Sequence, residues 1–253
     1  MGSHKRLIGL GAACFVLFAI IFFPARAAFS LLPGEISAFG VNGTLWSGSA
    51  RIINVGGQQL RNTEWDLTLP RFLLGQLSGD FKTRWPGGFL EGTGSISVFG
   101  NISLGETTAN FDAAMLTSAF NLPDVSGQVS VQLQELALDS LEEWPAIVIG
   151  KAEIRNLSSQ LMGRGAAAEI GSVAITFDTT TETDDSVING AIEDIGGPVA
   201  ATGNLTLTKP VSYAVKVRIR ARDEASATLK QNLEFLGPVE SDGNRVFQLA
   251  GSI

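Results

Sequence analysis

Tyr213-Ala214-Val215-Lys216-Val217-Arg218-Ile219-Arg220 carries an apolar side chain at alternate positions and a cation at most of the positions between. A period of two belongs to a strand, whose successive side chains point to opposite faces, so this segment predicts a strand with one face buried and a basic face in water. The pattern extends outward along the chain. Val129, Val131 and Leu133 alternate with Gln128, Ser130, Gln132 and Gln134, and Phe81, Thr83 and Trp85 alternate with Lys82 and Arg84. Further strands are expected over 49–55, 63–69, 94–99, 101–104, 109–113, 152–157, 169–177, 187–192 and 200–207. Glycines stand between most of them. Gly56-Gly57, Gly87-Gly88, Gly100, Gly127, Gly150 and Gly196-Gly197 read as turn and bulge positions. After Leu133 the apolar residues resume at Leu136 and Leu138, an odd shift that predicts a bulge and a bend.

Two segments depart from this period. Over 223–236, Ala225, Leu229, Leu233 and Leu236 fall at helical spacing, with Asp223 as the expected N-cap and Gly237-Pro238 as the stop. A weaker version runs over 113–122, with Ala114, Met115, Ala119 and Leu122 before Pro123. Each candidate helix leads through proline, acid and glycine into another strand, so about 34–138 and 139–253 read as two weakly similar halves; turn residues recurring in any β protein explain the likeness equally well. The expected fold is mainly β: a curved antiparallel sheet, half-barrel or sandwich-like trough, with one or two short helices. Such a sheet leaves edges on which another protein can add a strand.

Residues 1–33 differ in kind. They hold Lys5, Arg6 and Arg26 and no acid, so subtracting their +3 from the whole-chain charge of −7 leaves −10 for the body at 34–253. An acidic body disfavours nucleic acid as a partner. Leu7 to Phe23 is uncharged and apolar, roughly 25 Å as a helix at ~1.5 Å per residue, at the short end of what crosses a bilayer. Basic Lys5-Arg6, this apolar run and Ala25-Arg26-Ala27 also suit a cleavable signal peptide. The retained single transmembrane helix over 7–23 is the preferred reading, because the run exceeds the usual ~7–15-residue signal core and further apolar residues follow. Lys5 and Arg6 then stay cytoplasmic, and the domain at 34–253 is periplasmic.

The chain offers little chemistry. The sole histidine is His4 and the sole cysteine Cys14, which removes a Ser-His-Asp triad from the body, a Cys/His metal site and any intrachain disulfide. Glu142-Glu143, Asp184-Asp185 and Asp223-Glu224 are paired in sequence, but neighbours on a strand face opposite ways and do not converge. Gly163-Arg164-Gly165 lacks the lysine of a phosphate loop and a βαβ context. Trp46, Trp65, Trp85 and Trp144 read as core anchors rather than as a ligand platform. No catalytic residue, cofactor or metal ligand is expected.

Val41-Asn42-Gly43-Thr44-Leu45-Trp46-Ser47-Gly48-Ser49-Ala50 resembles the G-T-L/V-W-x-G-x-A signature of the type II secretion system protein N (general secretion pathway protein N) family. Trp65-Asp66-Leu67, followed by Leu73-Leu74-Gly75-Gln76-Leu77, is similar to that family's W-x-L and L-L-x-G-x-L stretch. Leu229, Leu233 and Leu236-Gly237, then Asp242-Gly243 and a last strand through Gly251, resemble its closing pattern. The motif residues Gly43, Thr44, Leu45, Trp46, Gly48, Ala50, Trp65, Leu74, Gly75, Leu236, Gly237, Gly243 and Gly251 are expected to serve structure, the Gly43 to Gly48 segment as a tight strand entry plugged by Trp46. The resemblance implies a non-enzymatic, single-pass inner-membrane component of the machine that exports folded proteins across the outer membrane. Its implied partners are other bitopic inner-membrane subunits of that machine. The competing function is a membrane-anchored periplasmic trough that binds a lipid or another amphiphile, suggested by the alternating apolar residues and a mean hydropathy of +0.22.

Overall fold

The structure, a computed structural model, describes residues 2–31, 36–55, 58–72, 74–115, 125–138, 144–159, 168–181, 184–210, 212–234, 236 and 239–252. The chain divides into two compact units, Met1–Phe99 and Gly100–Ile253.

In the first unit, helix α1 (Gly2–Ile21) and the short α2 (Ala25–Ser30) precede strands β1 (Ile36–Phe39), β2 (Asn42–Gly43), β3 (Ser47–Val55) and β4 (Gln58–Leu67). One turn of helix, α3 (Leu69–Phe72), then leads into β5 (Gln76–Trp85) and β6 (Gly88–Ser97). The strands pair antiparallel in the order β1-β3-β4-β5-β6, with β2 on β3. The core gathers Ala25, Val41, Ala50 and Ile53, with Phe29, Ile36, Ala38, Leu60 and Trp65 packed around them.

The second unit is an antiparallel meander in chain order: β7 (Ile102–Asp112), β8 (Val125–Leu138), β9 (Pro145–Ser159), β10 (Ala168–Asp178), β11 (Val187–Gly196), β12 (Val199–Thr208), β13 (Ser212–Ala221) and β14 (Arg245–Ser252). In β13, Val217 and Ile219 are buried while Lys216, Arg218 and Arg220 face water, as the period of two requires. Val217 and Ile219 meet Ile170, Ile192, Val199, Ala201, Leu229 and Leu233, so helix α4 (Ala227–Glu234) covers this face. Arg222 pairs with Asp194 and donates to the Gly197 carbonyl, while Asp194 accepts from the Ala201 amide, clasping the ends of β11, β12 and β13.

The fold is thus mainly β, with open, curved antiparallel sheet and few short helices. The bulge expected after Leu133 is present as a register shift between Leu133 and Glu135 against β9. The strands expected over 101–104 and 109–113 are one strand, β7, because Glu106 takes a left-handed backbone (φ 41°) and the pairing with β8 resumes on both sides of it. Among the described residues, β1 pairs only with β3 and edge strand β14 only with β13, so both ends of the pairing order are open.

Two expectations are corrected. The helix over 223–236 begins at Ala227, capped by Ser226, whose Oγ accepts the Leu229 amide at 3.1 Å, while Asp223 lies in the preceding turn. The single transmembrane helix over Leu7 to Phe23 is also revised. α1 ends at Ile21 ahead of Pro24, so the helical part of the apolar run spans roughly 22 Å at ~1.5 Å per residue, against ~30 Å of hydrocarbon. Among the described residues, no helix is long and apolar enough to cross a membrane. The weaker helix at 113–122 falls largely outside the described residues, as do Gly56-Gly57, Glu142-Glu143 and Gly163-Arg164-Gly165.

Leu229 and Leu233 have 4% and 3% of their surface exposed, so truncation opens a cavity under the sheet that the surrounding strands cannot close. Leu233→Ala is expected to lower unfolding stability by about 2–5 kcal/mol, read from the urea midpoint of the transition monitored by circular dichroism.

Candidate functional site

Gly43 and Gly48 sit directly opposite each other where β2 pairs with β3. Gly43 has φ 87°, and a Cβ there would lie 2.5 Å from the Ser47 carbonyl oxygen; one on Gly48 would lie 2.6 Å from the Trp65 ring. Only paired glycines therefore let the strands close this tightly beneath the Trp65 indole. The turn between them is Thr44-Leu45-Trp46-Ser47. The Thr44 amide donates to the Ser47 carbonyl at 2.9 Å, and the Ser47 amide returns to Thr44 Oγ1 at 3.2 Å.

The turn presents its two tryptophan-linked groups in different directions. Trp65 Nε1 donates to the Leu45 carbonyl at 3.0 Å and its ring stands 5.7 Å from that of Phe29 on α2. Trp46 Nε1 donates to the Ile20 carbonyl at 2.7 Å, and its ring packs edge-on against Phe72 at 5.1 Å. Carbonyls in the last turn of a helix lack their i+4 partners; the Ile20 carbonyl takes the Phe23 amide at 3.3 Å and, from the sheet, the Trp46 indole. The Leu45 amide donates to the Phe23 carbonyl at 2.8 Å, Pro24 forms an isolated bridge with Thr44, and Arg26 Nε donates to the Val41 carbonyl at 2.8 Å. Ala25 is 1% exposed and Trp46 8%. The Gly43-to-Gly48 hairpin is therefore a collar that grips 20–29, the junction between α1 and the sheet.

The structure brings Gly43, Thr44, Leu45, Trp46, Gly48, Ala50 and Trp65 into this one site. Gly75 (φ 78°) closes the turn after α3, its amide donating to the Phe72 carbonyl at 3.0 Å, so the second motif joins the collar through Phe72, with Leu74 exposed beside it. The third motif lies in the other unit. Leu236 packs against the core under α4, Gly243 (φ 82°) turns the chain ahead of β14, and Gly251 lies opposite Tyr213; Gly237 is outside the described residues. The collar's other half, Ile20, Phe23, Pro24, Ala25 and Arg26, was missed in the sequence because it reads as apolar run and small-residue triplet. Arg26, a lone cation after that run, was the available signal.

Among the described residues, the remaining candidates hold no converging set. Asp184 and Asp185 lie in an exposed turn, where Asp184 accepts the Ser186 amide and hydroxyl and is held below the usual carboxylate range by them, the hydroxyl first. Among the described residues, no group of three or more His, Cys, Asp or Glu side chains could hold a metal ion.

Trp46→Phe keeps an aromatic ring but removes the indole donor to Ile20, whose carbonyl retains only the Phe23 amide at 3.3 Å, and is expected to cost about 0.5–1.5 kcal/mol. Gly43→Ala, which meets backbone at 2.5 Å, is expected to cost more. Thermal unfolding ranks the two variants, and limited proteolysis of each should show faster cleavage between Phe22 and Arg26 than in the parent chain.

Residues 34–248 match the family described as type II secretion system (T2SS), protein N. The chain is 24% identical over 259 residues to the type II secretion system protein N of Vibrio cholerae serotype O1 (strain ATCC 39315 / El Tor Inaba N16961), an alignment covering 98% of this chain and 100% of that protein. No solved structure matches the chain. With its signature forming the collar of the first unit and the family match running through both units, the chain belongs to the type II secretion system protein N family.

Proposed function

We propose that the protein is a non-enzymatic, inner-membrane component of the type II secretion system that helps to assemble or stabilise the machine exporting folded proteins across the outer membrane. Family membership makes it a component of type II secretion. The observation that carries the rest is the collar: the family's own signature is used to join an apolar helix to a sheet, not to line a reactive site. A protein built this way holds its sheet at a set position relative to whatever α1 is embedded in.

In this reading α1 associates with the inner membrane, its exposed Ile8, Leu10, Phe15, Val16, Leu17 and Phe18 facing lipid or the apolar helices of neighbouring bitopic subunits. The β units stand on the periplasmic side, where open edges such as β14 can take a strand from a partner. The amphiphile-binding alternative has less support. A groove of about 520 Å³ in the second unit, across β7 to β10, mixes Leu133, Ile149 and Phe177 with Glu106, Lys151 and Asp178. An acyl chain lying there would be set against the Glu106, Lys151 and Asp178 side chains and take them out of water, which costs free energy.

Removing the protein from its native host is expected to lower export of the secreted enzymes and the steady-state amounts of neighbouring inner-membrane subunits. Both should recover on supplying the parent chain. Unchanged export together with unchanged subunit levels would rule the reading out. Carbonate extraction and protease treatment of spheroplasts check the location: the β units should be digested from the periplasmic side while α1 remains with the membrane.

A further inference from the structure

The α3 turn projects apolar side chains outward. Leu74 is 85% exposed, Val98 74% and Phe99 83%, and Phe72 and Ile96 beside them are partly exposed. Leu74 and Val98 adjoin the same Gly75 turn, and Phe72, Ile96 and Phe99 lie within two residues of them in the chain. The Leu74 and Gly75 amides donate to the Arg71 and Phe72 carbonyls, the Val98 amide donates to the Gly75 carbonyl at 2.9 Å, and Val98 Cγ2 lies 3.3 Å from where a Gly75 Cβ would be. Single exposed apolar residues are ordinary, whereas a contiguous group of large ones marks a surface that meets something apolar.

The position of the patch identifies the occupant. Phe72 packs on Trp46, and Trp46 donates to the Ile20 carbonyl at the end of α1, so the patch begins where the apolar helix leaves the sheet. Phe18 and Phe22, themselves exposed and 4.4 Å apart, end that helix at the same place. Arg71, whose carbonyl accepts the Leu74 amide, is exposed and in no ion pair among the described residues, which favours anionic phospholipid on this side.

We propose that Leu74, Val98 and Phe99 form a second lipid contact, inserting into the interfacial layer of the bilayer beside α1, so that the first unit is held to the membrane at two points. This rests on the reading that α1 associates with the membrane, and it sets the tilt of the sheet: one attachment permits swivelling, two restrict it.

The test uses the full chain in vesicles of phosphatidylethanolamine and phosphatidylglycerol, in a Cys14→Ser background. Single cysteines, Phe15→Cys on α1, Leu74→Cys and Val98→Cys in the patch, and Gln59→Cys at the start of β4, carry an environment-sensitive fluorophore. All four positions are exposed, so the fold is retained, which circular dichroism verifies. The expected result is a blue shift with several-fold brighter emission at 15, 74 and 98, quenched by brominated acyl chains, and neither change at 59. If 15 responds while 74 and 98 behave like 59, the second contact is refuted and the membrane reading of α1 survives. If none responds, the membrane reading itself fails. A response at 74 and 98 that appears only on adding neighbouring subunits, without bromolipid quenching, would make the patch a protein-docking face and overturn the lipid assignment.

Discussion

The hydrogen bond from Trp46 Nε1 to the Ile20 carbonyl depends on two residues that take no part in it. Gly43 and Gly48 face each other across the β2–β3 pair, and any side chain on either would meet backbone or the Trp65 ring. Their absence of Cβ lets the hairpin close, and closure holds Leu45 and Trp46 at the tip, one offering its amide to the Phe23 carbonyl and the other its indole to the Ile20 carbonyl at the helix end. Ala25 can then be buried against Val41, Ala50 and Ile53. Small residues are required at both ends of this arrangement: glycine to admit the turn, alanine to admit the chain.

This constraint sets what the signature does: its donors go to the backbone of the segment that leaves α1. The +3 segment at 1–33 includes Arg26, which is committed to the Val41 carbonyl, while the −10 body carries its basic residues largely on exposed sheet faces such as that of β13. The second unit is built on a different device, a helix laid over four strands with Leu229 and Leu233 as its contacts and the Asp194–Arg222 clasp at the strand ends. Each unit therefore has a core of its own.

Much of the fold was legible because strand periodicity is local. Val217 and Ile219 inward with Lys216 and Arg218 outward follows from the pleat alone, and the phase change after Leu133 announced its bulge. The failures have local causes as well. Glu106 adopts a positive φ that no pattern of apolar residues records, so one strand was read as two. Asp223 and Ser226 are both acceptable caps by type, and the choice fell to the residue whose hydroxyl reached the Leu229 amide. Pro24 marks a stop for the helix that starts in the apolar run, but nothing in the run shows that Pro24 would pair with Thr44 of the sheet.

By itself, the sequence determined the class of structure, the positions of most strands, the covering helix near 229–233, the scarcity of reactive groups and the family, since these depend on side-chain type and spacing along the chain. It also marked Gly43, Trp46 and Gly48 as belonging together. What they belong to was decided only in three dimensions. The partners of Trp46 are a backbone carbonyl 26 residues away and a phenylalanine ring on another element, and backbone carbonyls carry no sequence signal. The exposure of Leu74, Val98 and Phe99 was likewise beyond the pattern, because an apolar residue is written identically whether the sheet folds over it or leaves it facing out.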